Sequence, residues 1–509
     1  MSEKEYIVTL KAGVNYEAFN TEMIASTGAG DIPGRSVAVV NPRPGSTRNT
    51  HYALTDEEAI AVANDQRVVA VEIPPEQRDD IEIGHNATQN ANFTKTSSDT
   101  GTFVNWGLRR CISPSNPYTD STPADNNYNY TLDGNGVDVV IQDSGLQVDH
   151  PEFQDADGNS RVQEIDWYTE SGLSGTQSAN HYRDFDGHGT HCAGIAAGKT
   201  YGWAKNARIY SVKVGGLEGS GDSGTGISIS DCFDVIKLWH QNKPVDPVTG
   251  VKRPTIVNMS WGYGTTFTNF SGGVYRGVAF SSTTRRTDLG MIGAFTLSGY
   301  RFGVRVASVD ADVEEMIEAG IHVCIAAGNS SQRVAIAGDP DYNNFINKSG
   351  TTYYHRGGSP FSNSAFMTGN IDSNVPGVTE QKVSSSECGP GVNIYAPGTS
   401  IMSATSITNR FTDGPYPFEV DSEHRICNIG GTSMAAPQVA GLGACILQLN
   451  PAFTPAQLQE FIFDNSLKGQ LSDSAQPDNY TSSNNILGGP NRYLFQPFNN
   501  PYVLQIKNT

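Results

Sequence analysis

The chain lacks the long hydrophobic runs that would connect it with a membrane. None of its 509 residues belongs to an apolar stretch of about 18 residues, so no membrane-spanning helix is expected. Its first residues, MSEKEYIVTLKAG, also lack a basic segment followed by an apolar one, so we expect no secretory signal. Synthesis in the cytoplasm is therefore expected, while the final location stays open between release and incorporation into a larger particle.

Cysteine is scarce, and positive charge is outnumbered by negative charge. The seven cysteines include no CxxC pair, which argues against a zinc site. Cys192, Cys324 and Cys445 stand in small or apolar runs that are typical of buried thiols. With 34 Lys and Arg against 53 Asp and Glu, the net charge is −19. We therefore expect neither nucleic acid nor an anionic membrane as a partner.

The first 80 residues have the pattern of a small α+β domain. YIVTL (6–10) alternates like a strand, and Thr55 and Glu58 have the spacing of a capping box that opens a helix. A second strand, RVVAVEI (67–73), ends at two prolines. The residues that follow are rich in Asn, Thr and Ser, which indicates a linker over 81–102.

The residues from 103 to 509 have the pattern of an α/β domain. Apolar strands at 137–142, 207–214, 255–260 and 321–327 alternate with helical segments. Unbroken apolar strands are typical of a sheet that is buried on both faces, so the alternation predicts a doubly wound, mostly parallel sheet. Two segments rich in Gly, Ser, Thr, Tyr and Asn, near 263–308 and 331–362, are interpreted as insertions.

Three chemically reactive side chains are expected at the ends of these elements. Asp143 follows the strand at 137–142, His188 begins a small-residue helix in DGHGTHCAG, and Ser433 begins another in GGTSMAAP. Each has a structural explanation by itself, since Asp is common in turns, Ser is common at helix caps, and HGTH lacks the HExxH spacing of zinc peptidases. Together they supply a nucleophile, a base and a group that orients the base.

Five segments resemble the subtilases, the subtilisin-like serine peptidases: DSGLQVDHP, HGTHCAGIAAG, NMSWG, AAGN and GTSMAAPQVAGL. The resemblance covers about residues 103–498 and is closest to the proteinase K branch. It implies a serine endopeptidase in which Asp143 orients His188, and His188 takes the proton of Ser433 as an acyl-enzyme forms. Asn329 and the N–H of Ser433 would hold the oxyanion. No cofactor is implied for catalysis.

The resemblance also implies a cleft that binds protein or peptide substrates as an added strand. Two edges would flank the substrate: Gly219, Ser220 and Gly221 on one side, and Ser260, Trp261 and Gly262 on the other. Trp261 stands where the family often has leucine, so the shape of the neighbouring pockets is left open. Cys192, four residues after His188, is a rival nucleophile, but its apolar helix is typical of an inert thiol.

The N-terminal domain resembles the inhibitor-type propeptide of these peptidases. RVVAVEIPPEQ matches its last strand and tail, which implies a zymogen, an intramolecular inhibitor of a monomeric enzyme, and a self-made cut between residues 78 and 102. The alternative is a catalytically inactive subtilase fold that serves as a binding or structural component of a larger particle.

Structural calcium is common in the family, and two segments are rich in oxygen ligands. They are DADGN (155–159) and DPDYNN (339–344), for which solvated loops are the alternative interpretation. DADGN lacks the distal glutamate of a full EF-hand loop. No metal ligand is therefore assigned from the sequence.

Overall fold

The computed structural model describes residues 2–25, 30–84, 88–89, 105–118, 128, 130–177, 181–214, 227–267, 270–281, 300–372, 380–411, 416–418, 423–474 and 482–496. Within these ranges, no helix has both the length and the apolar character needed to cross a membrane. The linker predicted over 81–102 is described only at 81–84 and 88–89, and Gly219, Ser220 and Gly221 lie outside the described residues.

The N-terminal domain is a four-stranded antiparallel sheet with two helices. Its elements are β1 (Lys4–Leu10), α1 (Tyr16–Ile24), β2 (Val39–Asn41), β3 (Asn49–Leu54), α2 (Asp56–Ala63) and β4 (Val68–Glu72), and the strand order is β2-β3-β1-β4. Thr55 and Glu58 form the predicted capping box at the start of α2. Val8, Phe19 and Leu54 belong to a hydrophobic core of this domain alone. The predicted α+β domain is confirmed.

The elements of the rest of the chain begin with two short strands, β5 (Glu82–Gly84) and β6 (Thr88–Gln89). They continue with α3 (Trp106–Cys111), β7 (Asp138–Asp143), β8 (Val162–Gln163), α4 (Trp167–Ser171), α5 (His188–Ala197), β9 (Arg208–Lys213), α6 (Ile229–Asn242) and β10 (Thr255–Met259). Then come β11 (Gly262–Phe267), β12 (Gly272–Tyr275), β13 (Val278–Ser281), β14 (Tyr300–Gly303), α7 (Ala307–Glu318), β15 (His322–Ala326), β16 (Phe345–Lys348), β17 (Thr351–Tyr354) and β18 (Phe366–Ile371). The last are β19 (Ile394–Pro397), β20 (Ile401–Thr405), β21 (Tyr416–Pro417), β22 (Arg425–Gly430), α8 (Thr432–Leu449), α9 (Pro455–Asn465), β23 (Leu467–Lys468) and β24 (Arg492–Tyr493).

The larger domain is built on a nine-stranded sheet. Its order is β23-β24-β19-β18-β15-β10-β7-β9-β8, and every neighbouring pair except β23 and β24 is parallel. All residues of β7 and β10 are buried, as expected for central strands of a sheet covered by helices. Helices α5 and α8 pack together against this sheet, and so do α6 and α7. The predicted doubly wound, mostly parallel sheet is confirmed.

The two segments interpreted as insertions form sheets outside the main one. β12 pairs with β16, so the two segments join in a four-stranded sheet of order β13-β12-β16-β17. β11 pairs with β14 on one edge and with β5 on the other. The predicted end of the first insertion at 308 runs two residues into a helix, because α7 begins at Ala307.

Candidate active site

Asp143 and His188 meet at the carboxyl end of the central strands. Asp143 is the last residue of β7, and His188 is the first residue of α5. Asp143 Oδ1 lies 2.8 Å from His188 Nδ1, and both side chains are fully buried. A carboxylate bound to Nδ1 fixes the orientation of the ring and the tautomer in which Nε2 carries no proton.

Asp184 organises the turn before α5. Its Oδ1 accepts the N–H of Gly187 at 2.8 Å, and its Oδ2 accepts the N–H of Thr190 at 2.9 Å. Ser144, in the loop after β7, donates its hydroxyl to Asp184 at 3.0 Å and accepts the N–H of Gly189 at 2.8 Å. The loop after β7 and the turn before α5 are therefore joined by hydrogen bonds. Asp184 is absent from the predicted site, although an acidic residue shortly before a helix is a typical capping signal.

Ser433 lies in the first turn of α8, but it does not cap the helix. The N-cap position is Gly431, which makes no side-chain cap. The N–H of Thr432 is instead accepted by Asn329 Oδ1, at 2.9 Å. The capping role expected of an isolated serine before a helix is therefore wrong here, and the Ser433 hydroxyl donates to the carbonyl of Ser260, at 3.1 Å.

Pro437 explains the contacts of the Ser433 carbonyl. Proline has no N–H, so the carbonyl four residues earlier, that of Ser433, has no donor within the helix. Ser260 Oγ donates to this carbonyl at 2.9 Å, and Cys192 Sγ donates to it at 3.4 Å. Cys192 lies on α5, and its Sγ is 3.8 Å from His188 Nδ1. One thiol therefore contacts both the base and the main chain of the nucleophile.

Asn329 follows β15 and contacts the start of α8 through its side-chain oxygen. Its Oδ1 accepts the N–H of Thr432 at 2.9 Å and the hydroxyl of Thr432 at 3.1 Å. Because both contacts use the oxygen, the amide nitrogen faces away from Thr432. An oxyanion donor needs a side-chain amide whose nitrogen is held in a fixed direction beside the nucleophile, and Asn329 has this arrangement.

The chain's own strands lie on both sides of Ser433. Gly84, at the end of β5, pairs in antiparallel register with Gly262 of the predicted substrate edge. Beyond the nucleophile, Thr88 of β6 pairs with Gly430, three residues before Ser433. Gly262 thus pairs with a strand of this chain, and its role in binding substrate stays a prediction.

Ser260 and Trp261, the other two predicted residues of this edge, have different surroundings. Both are buried, with 1% and 3% of their surfaces exposed. Ser260 exchanges two hydrogen bonds with Ser433, so its contacts are with the nucleophile. Trp261 packs edge-on against Tyr263, with ring centroids 5.6 Å apart. The indole therefore belongs to the wall of the cleft, where it adds a large apolar surface.

The residues of this site fall within a segment that matches a known family. The family model described as the subtilase family, peptidase S8, matches residues 134–488. The chain belongs to the subtilase family. The serine-type endopeptidase class predicted from the sequence is thereby confirmed. The roles of the individual residues stay predictions, which the contacts described above support.

This subtilase is similar to serine proteases from fungi and bacteria. It is 26% identical to a cuticle-degrading serine protease of Arthrobotrys oligospora, over 77% of this chain and 68% of that protein. An extracellular serine proteinase of a Thermus species is 26% identical over 77% and 69%, and alkaline serine exoprotease A of Vibrio alginolyticus is 27% identical over 72% and 48%. Among solved structures, a cold-adapted subtilisin-like serine proteinase aligns with a TM-score of 0.47 and 25% identity, over 77% of this chain and 98% of that one.

Burial has the largest effect on the pKa of His188, the predicted base. Burial and, to a smaller extent, the charge of Arg410 lower the pKa of His188 to about 3, while Asp184 opposes this shift. A neutral imidazole is the form that can take a proton from a serine hydroxyl. Water that enters an open cleft would weaken the largest of these effects, so the pKa of His188 rises toward its usual range in an open enzyme.

Cys192 is suited neither to bind a metal nor to act as the nucleophile. Asp143, His188 and Cys192 are the one group of described residues whose ligand atoms lie close enough to hold an ion, within 4.8 Å of one another. Burial raises the pKa of the Cys192 thiol well above its usual range, so the sulfur keeps its proton. The thiolate is the form that binds metals and attacks carbonyls, and subtilases need no cofactor for catalysis.

Carboxylates of the two oxygen-rich segments contact other groups of the protein. In DPDYNN, Asp341 is fully buried and pairs with Arg276 at 2.7 Å and with Arg333 at 3.7 Å. In DADGN, Asp155 Oδ1 accepts the N–H of Asp157 at 2.9 Å and the N–H of Asn159 at 2.8 Å. Arginines therefore balance the charge of Asp341, and no calcium ligand is assigned in either segment.

Proposed function

We propose that this subtilase is made as an inactive precursor, that its N-terminal domain blocks its own cleft, and that it then cuts the chain between Gly84 and Thr88. The observation that supports this most directly is the pair of strands on either side of Ser433. Three residues separate the two strands in sequence. The susceptible bond is therefore one of four, which narrows the interval of 78–102 predicted from the sequence.

Two glutamates support the proposed docking of the N-terminal domain. Glu76 accepts the N–H of Ile229, the first residue of α6, at 3.0 Å. Glu72 accepts the N–H of Ser308, in the first turn of α7, at 3.0 Å. A carboxylate at a helix N-terminus satisfies a free N–H and interacts favourably with the helix dipole. Both contacts join the domain to helices that pack beside the central sheet.

A buried arginine supports the same arrangement. Arg43 is fully buried, and its guanidinium lies 2.7 Å from Asp234 and 2.9 Å from Asp312, on α6 and α7 respectively. Asn49 also donates to Asp312, at 2.9 Å. Burial raises the pKa of Asp312, and the charge of Arg43 opposes that rise. These acidic residues, named here the acidic socket (Asp231, Asp234 and Asp312), therefore depend on Arg43 for their charge balance.

Removal of Arg43 is expected to loosen the N-terminal domain. In a Ser433→Ala background, which prevents self-digestion, Arg43→Ala should weaken docking by about 3–5 kcal/mol, because buried carboxylates lose their partner. The defect should be larger at pH 8 than at pH 5, since Asp312 without Arg43 has a raised pKa and takes up a proton as the pH falls. Hydrogen exchange at the starts of α6 and α7 measures the docking.

Arg35→Ala is the matched control, because Arg35 pairs with Glu58 inside the N-terminal domain, at 2.7 Å. It should leave the exchange rates at both helix starts unchanged. Equal exchange in the Arg43 and Arg35 variants would contradict the role given to the acidic socket.

Active-site labelling followed by sequencing tests the proposed function as a whole. A serine-directed phosphonate should form one adduct, on Ser433, in protein that has lost its N-terminal domain, because only an open cleft exposes the hydroxyl to the reagent. The new N-terminus should lie between residues 85 and 88. Unlabelled Ser433 in trimmed protein would favour the alternative, an inactive fold that serves in binding. The contacts of Asp143 with His188 and of Asn329 with Thr432 argue against that alternative.

A further inference from the structure

A cleft opens beside Ser433, and one of its walls carries a buried carboxyl group. Its lining includes Trp261, Gly328, Asn329, Glu387 and Ser433. Glu387 has 3% of its surface exposed. Asn329 and Ser433 are the proposed oxyanion donor and nucleophile, so the cleft is placed to receive the side chain next to the bond that is cut.

The carboxyl group of Glu387 has no partner among the described residues. Its Oε2 is buried without a hydrogen bond, and no ion pair involves it in that part of the chain. The main-chain N–H of Glu387 donates to the carbonyl of Gly328, at 2.9 Å. Buried carboxyl groups are nearly always paired, because an unpaired one loses its hydration without compensation. A polar group left unpaired at the wall of a substrate cleft therefore indicates a partner that the substrate supplies.

Two glycines bring this carboxyl group against the active-site backbone. Gly328 has a φ of +115°, and a Cβ built on it would lie 2.5 Å from Glu387 Cδ and Oε1. A Cβ on Gly357 would lie 3.5 Å from Glu387 Oε2. Gly328 precedes Asn329, and its N–H donates to Thr432 Oγ1 at 3.1 Å. One hydrogen bond thus links the glycine beside Glu387 to the residue before Ser433.

We propose that Glu387 makes this subtilase prefer peptide bonds that follow lysine or arginine. The inference rests on the proposed active site at Ser433 and adds its substrate class. A cationic side chain that enters the cleft would form a charge-assisted hydrogen bond with the carboxylate and would satisfy the buried oxygens. An apolar side chain would leave the carboxyl group buried and unpaired.

Two arginines carry the charges that affect Glu387 most. Burial raises the pKa of Glu387 to about 8, and Arg305 and Arg301 lower it. Arg301 also lines the cleft, where a Cβ on Gly84 would meet its guanidinium, and it lies 3.8 Å from Glu82. Its charge is thus shared with the bound strand. Glu387 ionises as the pH rises through about 8, so the preference for cations should strengthen in that interval.

The precursor's own sequence between Gly84 and Thr88, His-Asn-Ala, contains no lysine or arginine. This agrees with a cut that happens once and within one chain. The bond to be cut belongs to the same chain as the active site and meets it at a high effective concentration, so the reaction does not require a strong side-chain contact. Substrates in solution have no such advantage, and their selection depends on the pocket.

The test uses the trimmed, phosphonate-reactive enzyme and four peptides that differ only in the residue before the cut: Lys, Arg, Gln or Leu. Wild type should have a kcat/KM at least about 30-fold higher for Lys and Arg than for Leu, the range expected for a buried charge pair. The Lys-to-Leu ratio should increase between pH 6.5 and 9. Glu387→Gln should abolish the preference and its pH dependence, while the phosphonate still labels Ser433.

Two further variants separate specificity from folding and from bulk charge. Glu387→Asp keeps the carboxylate and should retain part of the preference, which a merely structural role of the side chain would not produce. Asp149→Asn removes a charge from an exposed side chain and should leave the ratio unchanged. Equal rates on Lys, Gln and Leu peptides in enzyme that still labels at Ser433 would overturn the inference and leave the proposed function intact. Failure of labelling and of all cleavage would count against the proposed function itself.

Discussion

Ser433→Ala is expected to lower kcat by about 10⁶-fold and to leave the chain at its full length. A triad works as a unit, so loss of the nucleophile costs about as much as loss of the whole constellation. The variant keeps the contacts that hold the start of α8, since Asn329 binds Thr432 and the Ser433 carbonyl is bound by Ser260 and Cys192. Intact mass and the N-terminal sequence of the purified protein measure the outcome.

Cys192→Ala is the informative comparison for Ser433→Ala. It removes the thiol that contacts both His188 and the Ser433 carbonyl, but the sulfur is protonated and makes no bond with substrate. Activity within about tenfold of wild type is expected, together with normal trimming. Trimming of the Ser433→Ala chain between residues 84 and 88 would show that another protease makes the cut. If Cys192→Ala lost its activity while the phosphonate still labelled Ser433, the assignment of Ser433 as the nucleophile would be contradicted.

The fold was accessible from the sequence, and the triad could be predicted from it, because each depends on local patterns. Strand β7 is a continuous apolar run, and Asp143 stands at its end, so the pattern predicts both the sheet and the position of the carboxylate. His188 and Ser433 stand at the starts of helices made of small residues. The carboxyl ends of parallel strands lie at the same edge of a sheet, which makes the contact between Asp143 and His188 predictable.

Other contacts of the site join residues that are far apart in sequence and give no local signal. Cys192 and Ser433 are 241 positions apart, and their contact depends on how α5 packs against α8. A serine alone before a helix favours a cap, but Asn329 provides that contact at Ser433's helix from another strand end. The contact between Asn329 and Thr432 is a tertiary interaction, so the capping preferences of single residues do not predict it.

Glu387 illustrates the same limit for specificity. Within SSECGPG it has the appearance of a loop residue, and charged loop residues are usually exposed. Its burial depends on Gly328, which lies 59 positions earlier and leaves room for the carboxyl group. The pairing of β12 with β16 has a similar origin, since composition marks both segments as insertions but does not specify which edges meet.

Asp143→Asn is expected to lower kcat by about 10⁴-fold while the chain folds normally. The amide has nearly the same shape as the carboxylate, so the 2.8 Å contact with His188 can persist, but its nitrogen can donate where Asp143 Oδ1 accepts. The ring then adopts the tautomer with the proton on Nε2, which cannot take the proton of Ser433. A loss of this size is typical when the orienting carboxylate of a serine-protease triad is neutralised.

The size and form of the defect separate this mechanism from a structural one. Asp143→Asn should reduce kcat with little change in KM, because the carboxylate contacts His188 and leaves the strand-binding edge at Gly262 untouched. Trimming should slow in proportion, and the precursor should accumulate. Asp149→Asn, at an exposed position six residues later, should change neither parameter. A fall in kcat of less than tenfold would mean that His188 takes its working tautomer from another partner.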